Sequence, residues 1–238
     1  MQCKNCDNEI KSETYFYCPH CGQKTNVSRL NFQELAKDVW IAFSNADKGV
    51  LRLIQELVYK PGKVAQEYVA GRRKIYFNPF SYLAIMVAIA LYFIIQFENV
   101  GLDYSQIEAD DVELLRFSFQ YFNVFILIMC PIYAFVIWIF FLRNKYNYIE
   151  NLVFSAYLSG QTMLYYVIAI VFFVIFPSSM NVLGMIIGFA ITVWYIIAIL
   201  QFYQKRTFRS VVKSFLIIII SQIISQGLIL SSFALFNN

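Results

Sequence analysis

Apolar residues in this chain come in long blocks. Four stretches contain no Asp, Glu, Lys or Arg: Ile75 to Phe97, Phe117 to Leu142, Asn151 to Gln204, and Ser214 to Asn238. A helix needs about 20 apolar residues, each rising about 1.5 Å, to cross a bilayer. The third block is 54 residues long. As one helix it would reach about 80 Å, more than twice the ~30 Å hydrocarbon core, so it must fold back. Pro177-Ser178-Ser179-Met180-Asn181 marks the reversal, because Pro ends a helix and Ser and Asn suit a tight turn. The pattern predicts five membrane-spanning helices, near residues 79–97, 119–142, 152–176, 182–203 and 214–235. Runs such as Ile217-Ile218-Ile219-Ile220 fill both faces, which excludes the alternating strands of a membrane barrel.

The pattern ahead of the first block is different. Phe32, Leu35, Val39, Trp40 and Phe43 recur at helical spacing, with Asn31 as N-cap and Glu34 three residues on. A second stripe, Val50, Leu51, Ile54, Leu57 and Val58, stops at Pro61-Gly62. Val64, Ala65, Tyr68 and Val69 follow, closed by Gly71. This predicts two or three short amphipathic helices, broken at Asn45 to Gly49 and at Pro61-Gly62. They either lie in the lipid interface or pack under the bundle. The expected organisation is a metal-binding head over 1–28, amphipathic helices over 29–74 and a five-span domain over 75–238. The fold class is an all-α membrane protein.

Composition sharpens the picture. The chain is 59% hydrophobic and only 14% charged, against roughly 25% charged in soluble domains. Residues 1–78 hold 20 of its 34 charges, so the remainder can be neither a water-soluble globule nor a disordered segment. The basic residues predict orientation. Lys60, Lys63, Arg72, Arg73 and Lys74 precede the first span. Arg143 and Lys145 separate spans two and three, and Lys205, Arg206, Arg209 and Lys213 separate spans four and five. With five spans these 11 share one side. The other side has Arg116 alone, in a loop with Glu98, Asp103, Glu108, Asp110, Asp111 and Glu113. The N-terminus is expected in the cytoplasm and the C-terminus across the membrane. No secretory signal opens the chain, since Met1-Gln2-Cys3-Lys4-Asn5-Cys6 has no apolar core.

Four of the five cysteines form two pairs, Cys3-x2-Cys6 and Cys18-x2-Cys21, with 11 residues between them. Each pair can present two thiolates from one tight turn, and two turns complete a tetrahedral zinc site. Gly22 follows the second pair and Asp7-Asn8 the first, where left-handed backbone is useful. Ile10, Tyr15, Phe16 and Tyr17, between the pairs, can form a short hairpin over the metal. A head of some 25 residues has almost no core, so a structural Zn2+ would supply its folding energy. Two rivals use the same residues. Cys18-Pro19-His20-Cys21 is also a redox-motif spacing, which needs a βαβ context that does not follow. Two disulfides conflict with a cytoplasmic head. Cys130, beside Pro131 in span two, reads as a small buried apolar residue, and Pro131 is expected to kink that span.

The ribbon ending Cys18-Pro19-His20-Cys21-Gly22-Gln23, then Pro61-Gly62, then Gly71-Arg72-Arg73-Lys74-Ile75-Tyr76-Phe77-Asn78-Pro79, resembles a group of bacterial membrane proteins, common in Bacteroidota, classed under domain of unknown function 3667. Tyr148-Ile149-Glu150-Asn151 at span three looks similar too, although Asn151 stands where that pattern often has His. The five-span layout is similar to the Yip family of membrane trafficking proteins. The resemblance implies a zinc-ribbon protein of the bacterial inner membrane and brings no activity, substrate or catalytic residue.

The predicted spans carry no Asp, Glu, Lys, Arg or His, which argues against a proton-coupled carrier. The only His is His20, so a Ser–His pair cannot form in the bilayer. Glu150, at the mouth of span three, is a candidate functional acid, or an ion-pair partner of Arg143, Lys145 or the loop after span four. Arg72, Arg73 and Lys74 can contact a lipid phosphate or another anion, or simply anchor the first span. Ser221, Gln222, Ser225 and Gln226 in span five, and Ser155, Ser159, Gln161 and Thr162 in span three, either hydrogen-bond between helices or form a polar groove around Gln161, Gln222 and Gln226. Gly184-x3-Gly188 permits close helix approach, within the chain or in a homo-oligomer. The head has no basic face for nucleic acid once four thiolates are counted. The expected function is a non-enzymatic adaptor or membrane-organising protein, with membrane lipids and a cytoplasmic protein as partners. The alternative is a transporter, channel or lipid-moving protein that uses the polar groove.

Overall fold

The computed structural model describes residues 1–10, 15–26, 49–99, 109–176 and 180–236. The helix expected over Asn31 to Phe43, the Pro177-Ser178-Ser179 reversal and most of the acidic loop lie outside them. Eight helices occur among the described residues: α1 (Val50–Tyr59), α2 (Pro61–Val69), α3 (Pro79–Asn99), α4 (Ala109–Gln120), α5 (Phe122–Phe140), α6 (Tyr148–Ile175), α7 (Met180–Tyr203) and α8 (Phe208–Phe236). Five of them, α3, α5, α6, α7 and α8, are long and apolar enough to cross a membrane.

Local chemistry sets several boundaries. Asn78 caps α3, its side-chain oxygen accepting from the backbone N–H groups of Phe80 at 2.9 Å and Ser81 at 3.2 Å, and Pro79 takes the first helical position. Asn147 and Glu150 form a reciprocal capping box on α6. Two predicted boundaries are corrected. The described part of the expected acidic loop, from Ala109 onward, folds into α4, which Tyr121 separates from α5. The fifth span begins at Phe208, so Arg209 and Lys213 lie on α8 rather than in the loop before it.

Helix α6 is the centre of the bundle and packs on α3, α5, α7, α1 and α2. Its polar residues tie it to its neighbours, as the interhelical reading expected. The Ser155 hydroxyl donates to the Cys130 carbonyl on α5 at 2.9 Å, and the Tyr82 hydroxyl on α3 donates to Gln161 Oε1 at 2.6 Å. Thr162 bonds the Tyr195 hydroxyl on α7 at 3.0 Å. Asn151 is fully buried and accepts from the Tyr203 hydroxyl, so it joins α6 to the end of α7. Phe202 stacks on Phe154 and Tyr146 beside it, each at 4.3 Å.

Beneath this end, α1 and α2 pack against the bundle. Leu53 and Leu57 are buried, while Leu51 and Tyr59 stay exposed. The Trp194 indole donates to the Leu57 carbonyl at 3.1 Å, the Gly62 amide to Gln201 Oε1 at 3.2 Å, and Gln66 to the Phe202 carbonyl at 2.8 Å. Lys213 Nζ reaches the last turn of α5 at the Phe140 carbonyl, 3.0 Å away. The ends of α5 and α7 and the starts of α3, α6 and α8 thus meet at one end of the bundle, and the 11 basic residues flank them.

Candidate metal centre and its anchorage

The two cysteine pairs fold into two copies of one knuckle. In the first, the Cys3 amide donates to the Asn8 carbonyl at 3.0 Å and the Asp7 amide to the Cys3 carbonyl at 2.9 Å. In the second, Cys18 donates to Gln23 and Gly22 to Cys18, both at 2.8 Å. An antiparallel bridge closes each copy, Gln2 with Glu9 and Tyr17 with Lys24. The residue after the second cysteine is left-handed in both, with φ 58° at Asp7 and 68° at Gly22. Gly22 fits as expected. In the first copy the left-handed residue is Asp7, not the neighbouring Asn8.

This repeat brings the four sulfurs together, all within 4.8 Å of one another. Cys3 Sγ lies 3.6 Å from Cys21 Sγ, and Cys6 Sγ lies 3.7 Å from Cys18 Sγ. A disulfide would hold them about 2.0 Å apart. Four thiolates about 2.3 Å from a central ion sit about 3.8 Å apart at the corners of a tetrahedron. The set therefore fits a metal ion, and all five cysteines are free thiols. Burial pushes the Cys18 thiol up, but hydrogen bonds from the Cys21 and His20 backbone, then from Cys3 and Cys6, outweigh it and bring it from 9.0 to about 7. Burial lifts Cys21 to about 11. Ile10 packs behind Cys3 and Cys18 as the small apolar core of the head. Tyr15, Phe16 and Tyr17 face outward instead of covering the sulfurs.

An ionic chain fastens the head to the first span. Arg72 donates to Asp7 Oδ2 at 3.1 Å and lies 3.8 Å from Glu67. Lys63 lies 3.7 Å from Glu67, and Arg52 donates to Glu56 at 2.8 Å. The Tyr76 hydroxyl sits between the two acids, 2.9 Å from each carboxylate. Burial and these carboxylates push Tyr76 up, so it remains a neutral donor. Burial opposes the charge on Glu56, but the Arg52 and Tyr76 hydrogen bonds and the Arg52 and Lys60 charges prevail and hold its carboxyl below the usual value. Of the basic triplet, Arg72 serves this clamp, Arg73 is half-buried and Lys74 is exposed.

Two predictions arise here. Asp7→Asn keeps a residue that tolerates positive φ and removes the charge. Combined with Arg72→Ala in a double-mutant cycle, it should show a coupling of no more than about 1 kcal/mol, because the pair is largely exposed. Amide exchange of residues 1–10 and 16–25 would read this. Tyr76→Phe removes the hydroxyl between two acids and should cost about 1 kcal/mol. Because the folded Glu56 carboxyl is depressed, its stabilisation is complete above the unfolded value, about 4.3, and is lost as pH falls through the folded one. Without Tyr76 the folded value rises toward the unfolded one, so the share of stability lost between neutral and acid pH should be smaller in the variant than in the parent, in melts run from pH 3 to 7.

The remaining candidate residues do not converge. Glu150 is buried, and its carboxylate accepts from the Asn147 amide at 2.7 Å, at the positive end of α6. Gln161 faces Tyr82 at the α3–α6 contact. Gln222 and Gln226 instead line a cavity among α4, α5, α6, α7 and α8, so the three glutamines do not share one groove. The Asp7–Arg72 clamp and the Tyr76 network escaped sequence reasoning; partners 65 residues apart leave no local signal.

Residues 47–91 match the family model described as protein of unknown function DUF3667. The match covers α1, α2, the Gly71–Asn78 connection and much of α3, including Arg72 and Tyr76, and leaves out the cysteine knuckles. No curated protein and no solved structure matches the chain.

Proposed function

We propose that this chain with a DUF3667 segment is a multi-pass protein of the bacterial inner membrane. Its head faces the cytoplasm, binds one structural zinc ion and, with α1 and α2, forms a non-enzymatic docking platform for a cytoplasmic partner or for neighbouring membrane proteins. The geometry of the four sulfurs carries the reading. Four thiolates complete the coordination of a tetrahedral ion and leave no open position for a substrate. The Asp7–Arg72 ion pair, 3.1 Å long, sets the head against the connection to the first span, where a platform would lie. Tyr15, Phe16 and Tyr17 on the head, with Leu51 and Tyr59 on α1, present exposed apolar surface at that end. The basic residues gathered there favour the cytoplasmic side. Metal analysis of the purified protein should find one zinc per chain, and extraction in mild detergent should co-purify a stoichiometric partner. A chain clearly short of zinc overturns the metal, a solitary chain overturns the platform, and a reporter after Asn238 active only in the cytoplasm overturns the topology. A second reading, a protein that binds or moves a membrane-soluble compound, is favoured by the cavity beside Gln222 and Gln226.

A further inference from the structure

Helices α4, α5, α6, α7 and α8 line a partly open cavity of about 540 Å³, with Gln222 and Gln226 at its exposed side, within the roughly 300–1,000 Å³ of small-molecule sites. No charged side chain lines it among the described residues. Several of its hydroxyls already have protein partners. Thr162 bonds the Leu158 carbonyl and the Tyr195 hydroxyl, Thr192 bonds the Gly188 carbonyl, and Ser225 interacts with Tyr133. The carboxamides of Gln222 and Gln226 have no hydrogen-bond partner among the described residues. Gln222 is the middle residue of the 29-residue α8, about 21 Å from either helix end, and Gln226 lies one turn further along the same face. An amide left without a partner at that depth is costly.

The glycines supply a second observation. Gly184-x3-Gly188 suggested close helix contact, yet a β-carbon on Gly188 would meet no atom within 4 Å, and one on Gly184 only the Phe173 ring at 3.9 Å. Both glycines line the cavity, and they widen it instead of packing a helix.

We propose that this cavity binds an uncharged lipid. Its hydroxyl, ester or carbonyl head is held by Gln222 and Gln226, and its chain lies along Phe122, Phe125, Phe173 and Ile191. A neutral head meets both the donor and the acceptor of each carboxamide. An anionic or zwitterionic head would be stranded without a counter-charge at the depth where charge is most expensive. A sugar or an ion would leave the aromatic wall unused. The inference deepens the second reading above and is independent of the zinc head.

The test reconstitutes the full chain in phosphatidylcholine vesicles with one of three photoactivatable probes: a diacylglycerol, an isoprenoid quinone or a phosphatidylglycerol. Cross-linked peptides are then mapped. One of the two uncharged probes should label residues 184–199 and 217–229 at least about tenfold more than phosphatidylglycerol does, about 1.4 kcal/mol of preference. Which probe does so distinguishes the glyceride source from the isoprenoid one. Gly188→Leu, which fills open space, should abolish that label, and the double variant Gln222→Leu/Gln226→Leu should reduce it. Should Gly188→Leu fail to fold, excess unlabelled lipid of the same class must compete the label away from the unaltered chain. Equal labelling by phosphatidylglycerol that Gly188→Leu still removes would overturn the uncharged class and leave a lipid site. No specific labelling, or disulfide-linked dimers through Gln222→Cys showing a second copy in the cavity, would overturn the proposal and the second reading with it.

Discussion

Replacing Cys18 with serine is expected to remove the metal and the fold of the head together. Cys18 is almost fully buried, its sulfur lies 3.7 Å from that of Cys6, and its amide and carbonyl make both hydrogen bonds that close the second knuckle. A serine can keep those backbone bonds but offers no thiolate. What remains is a segment whose apolar core is Ile10 and the cysteines themselves. Such a core cannot offset the entropy of ordering some two dozen residues, which runs to about 1–2 kcal/mol each for the backbone alone. Structural zinc contributes about 10–16 kcal/mol in comparable peptides at neutral pH. Zinc content should therefore fall from one per chain to none, and the amides of residues 1–10 and 16–25 should lose their exchange protection. The melting of the spans should hardly change, because the head touches them through the Arg72 clamp, worth little on its own. Chelation or acid should do the same to the unaltered protein, since protonated thiols do not bind. Cys130→Ser is the control. That thiol is buried in α5, and its loss should leave zinc content unchanged. A head that stays protected after chelation would show that something other than the metal folds it.

The same contrast explains what the sequence made legible. A tight turn that carries two cysteines is a local property, so spacing alone locates the four sulfurs that could hold a metal ion. Span length is likewise local, and four apolar blocks, the third too long for one crossing, became five helices. Helix α4 was missed because Asp110, Asp111, Glu113 and Arg116 read as a loop when hydropathy is the criterion, although charge does not prevent a helix outside lipid. The start of α8 was placed late for the same reason, since Arg209 and Lys213 end the apolar block but not the helix. Residues whose meaning depends on a neighbour were not legible. Gln161, Gln222 and Gln226 look alike in sequence, yet Tyr82 partners the first and a cavity faces the other two. Asp7 shows no sign of its Arg72 partner. Pro61-Gly62 was correctly read as a break, because Pro61 opens α2, but nothing in that dipeptide shows what Gly62 touches.

Gly62→Ala should be the most damaging single methyl in the protein. A β-carbon there would stand 2.4 Å from both the Ala198 carbonyl oxygen and the Phe202 amide nitrogen, and 2.5 Å from Gln201 Cβ. Two of these are backbone atoms of α7 and cannot rotate aside, so α2 would have to lift off the helix by about an ångström to reach ordinary contact. Lifting it strains the Gly62–Gln201 and Gln66–Phe202 bonds and the Trp194 contact to Leu57. Overpacking of this kind costs about 1–3 kcal/mol, or more where the backbone must shift. Alanine's better helix propensity returns at most about 1 kcal/mol, so the clash decides the sign. Gly62→Leu should detach α1 and α2 altogether and open the chain near Lys60 and Lys63 to trypsin, well before the spans melt. Gly160→Ala should fall between, because its β-carbon would come 2.7 Å from the Tyr82 ring, which is buried and held at its hydroxyl by Gln161. Gly188→Ala gains propensity and meets nothing, so its melting temperature in detergent should match or slightly exceed that of the unaltered chain. The order Gly62, Gly160, Gly188 is the expected ranking of damage. A Gly62→Ala protein as stable and as protease-resistant as the parent would mean that α2 does not cross α7 at that glycine.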